Sequence, residues 1–246
     1  MRLLTLGSDS TGNGYLLKTK GGEVLIIEAG VKLAKIKQAL GFDLSRIAGC
    51  IISHGHTDHA KYLPEYQKAG IRCYMNQQTA NIWLNGTRTS AVILEEKEQI
   101  NVGEFLIKPF SLEHDVANFG YLIHHYESGL ICFITDTHYC HYTFKGLNNI
   151  LIEANYSERI INQKLLDRTA EVYVRNRVLT SHMEIETTKA FLKANDLTKV
   201  NNIVLLHLSM GNSNQEQFTR EVVELTGKQV YVADEGLDIE LNKEGI

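Results

Sequence analysis

Cys50-Ile51-Ile52-Ser53-His54-Gly55-His56-Thr57-Asp58-His59 places three histidines and one aspartate within six residues, directly after an apolar run. Ala48 to Ile52 reads as a buried strand, so the polar residues that follow occupy the loop at its end. Loops carried on a rigid scaffold are where catalytic side chains concentrate. Imidazole and carboxylate together suit zinc, manganese or iron. Alternate side chains of an extended chain share a face, so His54, His56 and Asp58 point one way. His59 turns to the other side, and one loop can feed two adjacent metal ions.

Four further polar residues terminate apolar runs. His114 follows Phe110-Ser111-Leu112-Glu113, Asp136 follows Ile131-Cys132-Phe133-Ile134-Thr135, Glu153 follows Ile150-Leu151-Ile152, and His207 follows Ile203-Val204-Leu205-Leu206. A strand that ends in a carboxylate or imidazole delivers that group to a sheet edge. Several such strands can meet at one edge, which makes a single shared site the expectation.

The rest of the chain reads as the scaffold. Residues 2–6, 14–19 and 23–28 are expected strands, joined by a Gly7 to Gly14 loop and a Gly21-Gly22 turn. That loop suits either a plain turn or a backbone cradle for phosphate. Helices are expected over Val31 to Leu40, Ala60 to Ala69, Thr79 to Leu84, Glu158 to about Val178, Glu184 to Lys193 and Gln215 to Leu225. Strands are expected over Ile71 to Met75, Glu104 to Leu112, Asn118 to Tyr126, Leu130 to Thr135, Asn149 to Glu153, Asn201 to His207, 229–233 and 237–241. Gly86 to Ser90 reads as a polar turn. Two packed sheets with helices outside fit this order. The expected fold is α+β, a four-layer αβ/βα sandwich in one domain over residues 1–246.

With 246 residues the chain can bury a full core. Its net charge of −4 supplies no overall basic field for a nucleic-acid backbone. No apolar run reaches membrane-span length, and no signal-peptide core precedes the first strand, so a cytoplasmic protein without membrane contact is expected. Cys50, Cys73 and Cys132 lie in apolar runs and read as reduced, buried residues. Cys140, His138 and His141 follow Asp136 closely, as site lining or as bystanders. His124 and His125 face opposite ways within a strand and carry no chemistry. Trp83, Tyr15, Tyr139 and Tyr142 suit either base stacking or packing.

The run His54 to His59, with His114, Asp136 and His207 after it in order, resembles the signature of the metallo-β-lactamase-fold hydrolases. The resemblance implies two divalent ions, zinc or manganese, with iron as a further candidate. His54, His56 and His114 would hold the first, Asp58, His59 and His207 the second, and Asp136 would bridge them. It also implies a hydrolase that uses a metal-bridging hydroxide as nucleophile, with Asp58 orienting it. Ile152-Glu153-Ala154-Asn155 and Ser181-His182-Met183 resemble elements of the tRNA-processing RNase Z enzymes, where Glu153 and His182 would form a general-acid dyad. Gly7 to Asn13 and His207-Leu208-Ser209 resemble the YycJ (WalJ) group of small DNA exonucleases. The chain departs from these patterns at Glu28, where an aspartate is usual, and in the asparagines at 212 and 214. It also lacks the β-CASP insertion, which argues against long structured RNA.

The leading expectation is therefore a phosphodiesterase or nuclease acting on DNA ends. The alternative is a hydrolase of a small cyclic phosphodiester, lactone, thioester or other ester. A metal-stabilised binding protein without turnover stands as a third, separate class.

Overall fold

A computed structural model of the chain describes residues 1–84, 91–167 and 172–244. Its strands, in chain order, are β1 (Arg2–Gly7), β2 (Gly14–Lys18), β3 (Val24–Ile27), β4 (Ile47–Ile51), β5 (Cys73–Met75), β6 (Ala91–Ile93), β7 (Ile100–Val102), β8 (Phe105–Leu112), β9 (Asn118–His125), β10 (Gly129–Ile134), β11 (Leu147–Glu153), β12 (Asn202–Leu206), β13 (Gln229–Val232) and β14 (Asp238–Glu240). The helices are α1 (Leu33–Ala39), α2 (Thr57–Ala60), α3 (Leu63–Lys68), α4 (Gln77–Leu84), α5 (Glu158–Leu166), α6 (Val172–Ser181), α7 (Ile185–Ala194) and α8 (Gln215–Thr226).

The strands form two sheets, ordered β14-β1-β2-β3-β4-β5-β6 and β13-β12-β11-β10-β9-β8-β7. Each sheet is part antiparallel and part parallel, with parallel pairing from β3 to β6 in one and from β10 to β13 in the other. The parallel strands are covered on both faces, as such strands must be. Along β3, Leu25 and Ile27 enter the core between the sheets, while Val24 and Ile26 face the helices. Along β11, Leu151 faces the other sheet and Ile150 and Ile152 face outward. Helices α1 to α4 supply Leu33, Ile36, Ala60, Leu63, Tyr66, Ala80 and Leu84 to one outer layer. Helices α7 and α8 supply Ile185, Phe191, Leu192, Phe218 and Val222 to the other. The result is the expected αβ/βα sandwich.

The single helix expected over Ala60 to Ala69 is corrected to two, α2 and α3, with Tyr62 between them at φ −99 and ψ 7. Pro64 is the cause. In a continuous helix its ring would meet the carbonyl of residue 60 and leave that oxygen without a donor. In the first turn of α3 it costs nothing. Helices α5 and α6 cover most of the Glu158 to Val178 expectation. Residues 168–171 and the turn expected at Gly86 to Ser90 lie outside the described residues.

Gly30 shows how tightly the early loops seat against the histidine loop. A Cβ there would lie 1.7 Å from the Asp58 carbonyl oxygen and 2.6 Å from the Asn13 amide nitrogen, both backbone atoms with little room to yield. Gly30→Ala is therefore expected to destabilise the protein by about 3 kcal/mol or more. Urea unfolding measures this directly, and a midpoint equal to that of the wild type would contradict the contact.

Candidate metal centre

The site forms along one edge of the sandwich, where the parallel strands end. Strand β4 leads into His54, His56, Asp58 and His59; β8 leads to His114, β10 to Asp136 and β12 to His207, while β11 ends on Glu153. Carboxyl ends of parallel strands are the usual place for ligands in such sheets. The side chains of His54, His56 and His114 come together in one group, their ligand atoms within 4.8 Å of one another. Asp58, His59, Asp136 and His207 form a second group on the same measure. His56 Nδ1 is 3.1 Å from His114 Nε2 in the first, and Asp58 Oδ2 is 3.3 Å from both His59 Nε2 and His207 Nε2 in the second. Asp136 stands between them, its Oδ2 3.9 Å from His54 Nε2 and its Oδ1 3.3 Å from His59 Nε2.

These residues suit a pair of divalent ions. His54 Nε2 is fully buried, faces Asp136 and has no hydrogen-bond partner among the described residues. Its other nitrogen is occupied by Ser53 Oγ at 2.9 Å. In the second group His207 Nδ1 is braced from behind by Glu153 Oε1 at 3.3 Å, while His59 Nδ1 faces Glu28 Oε1 at 3.4 Å as an ion pair without a hydrogen bond. A carboxylate behind a histidine fixes its tautomer and presents the other nitrogen to a metal. Glu28 also accepts from the Ser53 amide at 3.2 Å, so its carboxylate sits directly beneath the loop.

Three of these strand-end residues adopt left-handed backbone: Glu28 at φ 69, Asp136 at φ 50 and His207 at φ 54. Such conformations cost about 1–3 kcal/mol each and persist only where the surroundings enforce them. Asparagines do this for two of the three. Asn118 Nδ2 donates to the Asp136 carbonyl at 2.7 Å, and Asn155 Nδ2 donates to the His207 carbonyl at 2.7 Å. The Gly7 to Gly14 loop packs against the site from the other side. Asn13 Nδ2 lies 3.0 Å from His59 Nε2 and 3.2 Å from Asp58 Oδ2, and Ser8 Oγ accepts from the His207 amide at 3.0 Å. Sequence reasoning assigned no role to Ser8, Asn13, Ser53, Asn118 or Asn155. Ser8, Asn13, Ser53 and Asn155 stand inside the quoted stretches, and that placement is the available signal; Asn118 has none.

Electrostatics divide the two groups. Burial holds His54 and His114 below the ordinary imidazole value, so both stay neutral, as ligands must. Burial pulls on His207 in the same direction, but the charge of Asp136 and hydrogen bonds to Asp58 and Glu153 outweigh it and push the group up to about 10. His59 is raised for similar reasons, by Asp136 and Glu28 against burial. Burial would raise Asp58, yet its bonds to His207 and His59 hold it well below the carboxylate range. Without metal, protons on these histidines balance the buried carboxylates; a divalent ion would replace them.

Glu153 is completely buried and serves as a hub. Its Oε1 is 2.7 Å from His182 Nδ1, and its Oε2 accepts from the amides of Thr137 at 3.0 Å and Met183 at 3.2 Å. Burial lowers His182, but the charge and hydrogen bond of Glu153 more than offset this, leaving it above the ordinary imidazole value. His182 does not cap the following helix; Glu184 does, accepting from the Glu186 amide. His182 lines a cleft of about 500 Å³ together with Ser10, Thr57, Asp58, Asp136 and Ser209. Its ligand atoms also group with Asp136, Glu153 and His207.

Other candidates fall outside the centre. His138 and His141 are largely exposed and both pair with Glu113, at 2.9 and 2.5 Å. Cys140 is buried against the outer core and belongs to neither group. Trp83 donates to the Gly55 carbonyl at 2.8 Å and so pins the histidine loop rather than offering a stacking face. Tyr15 is buried, and Tyr142 packs on Phe110 and Phe144. Asn214 caps α8 by accepting from the Gln217 amide at 3.0 Å. Among the described residues no helix is long and apolar enough to cross a membrane.

Comparison with known proteins agrees with this architecture. An exodeoxyribonuclease YycJ from Bacillus anthracis is 24% identical over 249 residues, covering 95% of this chain and 92% of that protein. The fold is similar to the crystal structure of the metallo-beta-lactamase fold protein YhfI from Bacillus subtilis, with TM-score 0.69, 15% identity and coverage of 97% and 99% of the two chains. It is also similar to the human short-form tRNase Z, with TM-score 0.64, 18% identity and coverage of 98% and 99%. The sequence model of the metallo-beta-lactamase superfamily matches residues 7–142, from the early glycine loop through the histidine loop to beyond Asp136. The chain thus belongs to the metallo-beta-lactamase superfamily.

Proposed function

We propose that residues 1–246 act as one metal-dependent phosphodiesterase domain that hydrolyses DNA from its ends. The observation that carries this reading is the Glu153–His182 pair at 2.7 Å, set in the same cleft as Asp58 and Asp136. A thioester or aryl ester, whose leaving group departs without a proton, has no use for such an acid. A phosphodiester, whose leaving oxygen is a sugar alkoxide, needs one. The similarity to an exodeoxyribonuclease and to a tRNase Z supports the same chemistry.

In this reading His54, His56 and His114 would hold one ion, Asp58, His59 and His207 the other, with Asp136 between them. Such ions would supply charge neutralisation for the phosphoryl oxygens and would acidify water. Asp58, at the cleft wall, would accept a hydrogen bond from the attacking water. His182 keeps Nδ1 on Glu153, so Nε2 is the nitrogen left to give a proton to the departing oxygen. Ser10, Thr57 and Ser209 line the cleft and offer hydroxyl donors to the phosphate. Zinc, manganese and iron all suit this mixed imidazole and carboxylate set. The four cysteines are free and buried, which supports a reducing, cytoplasmic setting.

A cleft of about 500 Å³ is large enough for one nucleotide unit, which supports chain ends as the proposed target. The same volume and the net charge of −4 favour, as the second reading, a small phosphodiester or ester substrate. The test is manganese- or zinc-dependent release of nucleotides from end-labelled DNA. Release of mononucleotides is expected. Blank reactions with both metals, on protein shown to carry two ions, would move the assignment to the small-substrate reading.

A further inference from the structure

The three histidines of the first ion position come from two separate loops. His54 and His56 follow β4, whereas His114 lies between β8 and β9, 58 positions beyond His56. Metal–ligand distances tolerate only about ±0.2 Å, so the two loops must be held in fixed relation. One side chain bonds to both. Asn76, 4% exposed, joins β5 to α4. Its Nδ2 donates to the Ser53 carbonyl at 3.1 Å, directly before His54, and to the Ala117 carbonyl at 2.9 Å, just beyond His114. Its Oδ1 accepts from the Thr79 amide at 2.8 Å. Two acceptors on one side and a donor on the other fix which way the carboxamide points.

Helix α4 adds two further ties. Gln78 Oε1 accepts from the Ala117 amide at 2.6 Å, so Ala117 is gripped at both its amide and its carbonyl, and Trp83 holds the Gly55 carbonyl. The other end of the His114 loop is held separately, by Thr137 Oγ1 on the Glu113 carbonyl at 2.8 Å. Among the described residues Asn76 makes no hydrogen bond to Asp58, His59, Asp136 or His207. We propose that Asn76 is a positioning residue, clasping the two loops so that His54, His56 and His114 converge on one ion. The proposal rests on the two-ion reading above.

The rival role is a helix cap and nothing more. Serine caps a helix about as well as asparagine, but it carries one short donor where the clasp needs two. Asn76→Ser therefore keeps the cap on the Thr79 amide and cuts the tie between the loops. Asn76→Asp keeps both the shape and the cap and has no donor. The fold should survive either change, because the Ser53 carbonyl retains the Phe119 amide at 3.1 Å and Ala117 is exposed, so its carbonyl can turn to water. Metal-free wild type and both variants are titrated with cobalt(II), recording the ions bound, chelator competition and the visible ligand-field spectrum, with far-UV circular dichroism as the check on folding. Wild type is expected to bind two ions. Each variant should lose about 10–100-fold in affinity at one position, with a changed spectrum for that ion alone. Variants that titrate like wild type overturn the clasp. So does an equal loss at both positions, or loss of the fold in both variants, since either makes Asn76 a structural residue only. These outcomes leave the two-ion reading standing. A wild type that binds fewer than two ions overturns that reading, and the clasp with it.

Discussion

Asp136→Asn is expected to cut turnover by at least about 10²–10³-fold and to lower the metal content from two ions per chain. The substitution preserves shape. Asparagine fits the same volume and can keep the hydrogen bond that Thr135 Oγ1 donates to Oδ1 at 2.8 Å. What it removes is the charge shared by both groups. Asp136 is within 4 Å of His54 and His59, and its Oδ1 lies 3.6 Å from His207 Nδ1. A neutral amide there leaves the first ion position with imidazoles only, and the second with Asp58 as its one carboxylate. Elemental analysis of the purified variant, beside its rate on a phosphodiester, decides the matter. Two retained ions and more than about a tenth of the wild-type rate would remove Asp136 from the bridging role.

His182→Ala is expected to lose about 10²–10⁴ in rate on substrates that release an alkoxide. It should lose little on bis(p-nitrophenyl) phosphate, because nitrophenolate departs without a proton. That contrast is specific to a general acid and would not follow from a general loosening of the cleft. Metal content is the needed companion measurement, since His182 also groups with Asp136, Glu153 and His207. A variant that keeps both ions and shows the leaving-group contrast is acting through lost proton donation. Equal losses on both substrates, with an ion missing, would instead make His182 a ligand.

Much of this site was legible because strand ends are legible. His54 to His59, His114, Asp136, Glu153 and His207 each follow an apolar run, and parallel strands bring such ends to one edge whatever lies between them. The supporting shell was harder to see. Ser8 reaches the His207 amide across 199 positions of sequence, and Asn13 reaches Asp58 across 45. A lone serine or asparagine in a glycine-rich loop carries no periodic signal. The start of α4 two residues ahead of expectation was readable in principle: Asn76 Oδ1 accepts from the Thr79 amide at 2.8 Å, an ordinary N-cap. The break at Tyr62 was readable too, from Pro64.

The left-handed turns at Glu28, Asp136 and His207 bear on how metal enters. Those at Asp136 and His207 are held by asparagine side chains of the folded chain, so that part of the donor constellation is assembled before any ion arrives. The loss of chain freedom has already been absorbed by folding, and an incoming cation need only displace protons and water. Loading should accordingly be rapid, release acid into the medium, and leave the far-ultraviolet dichroism of the protein where it was.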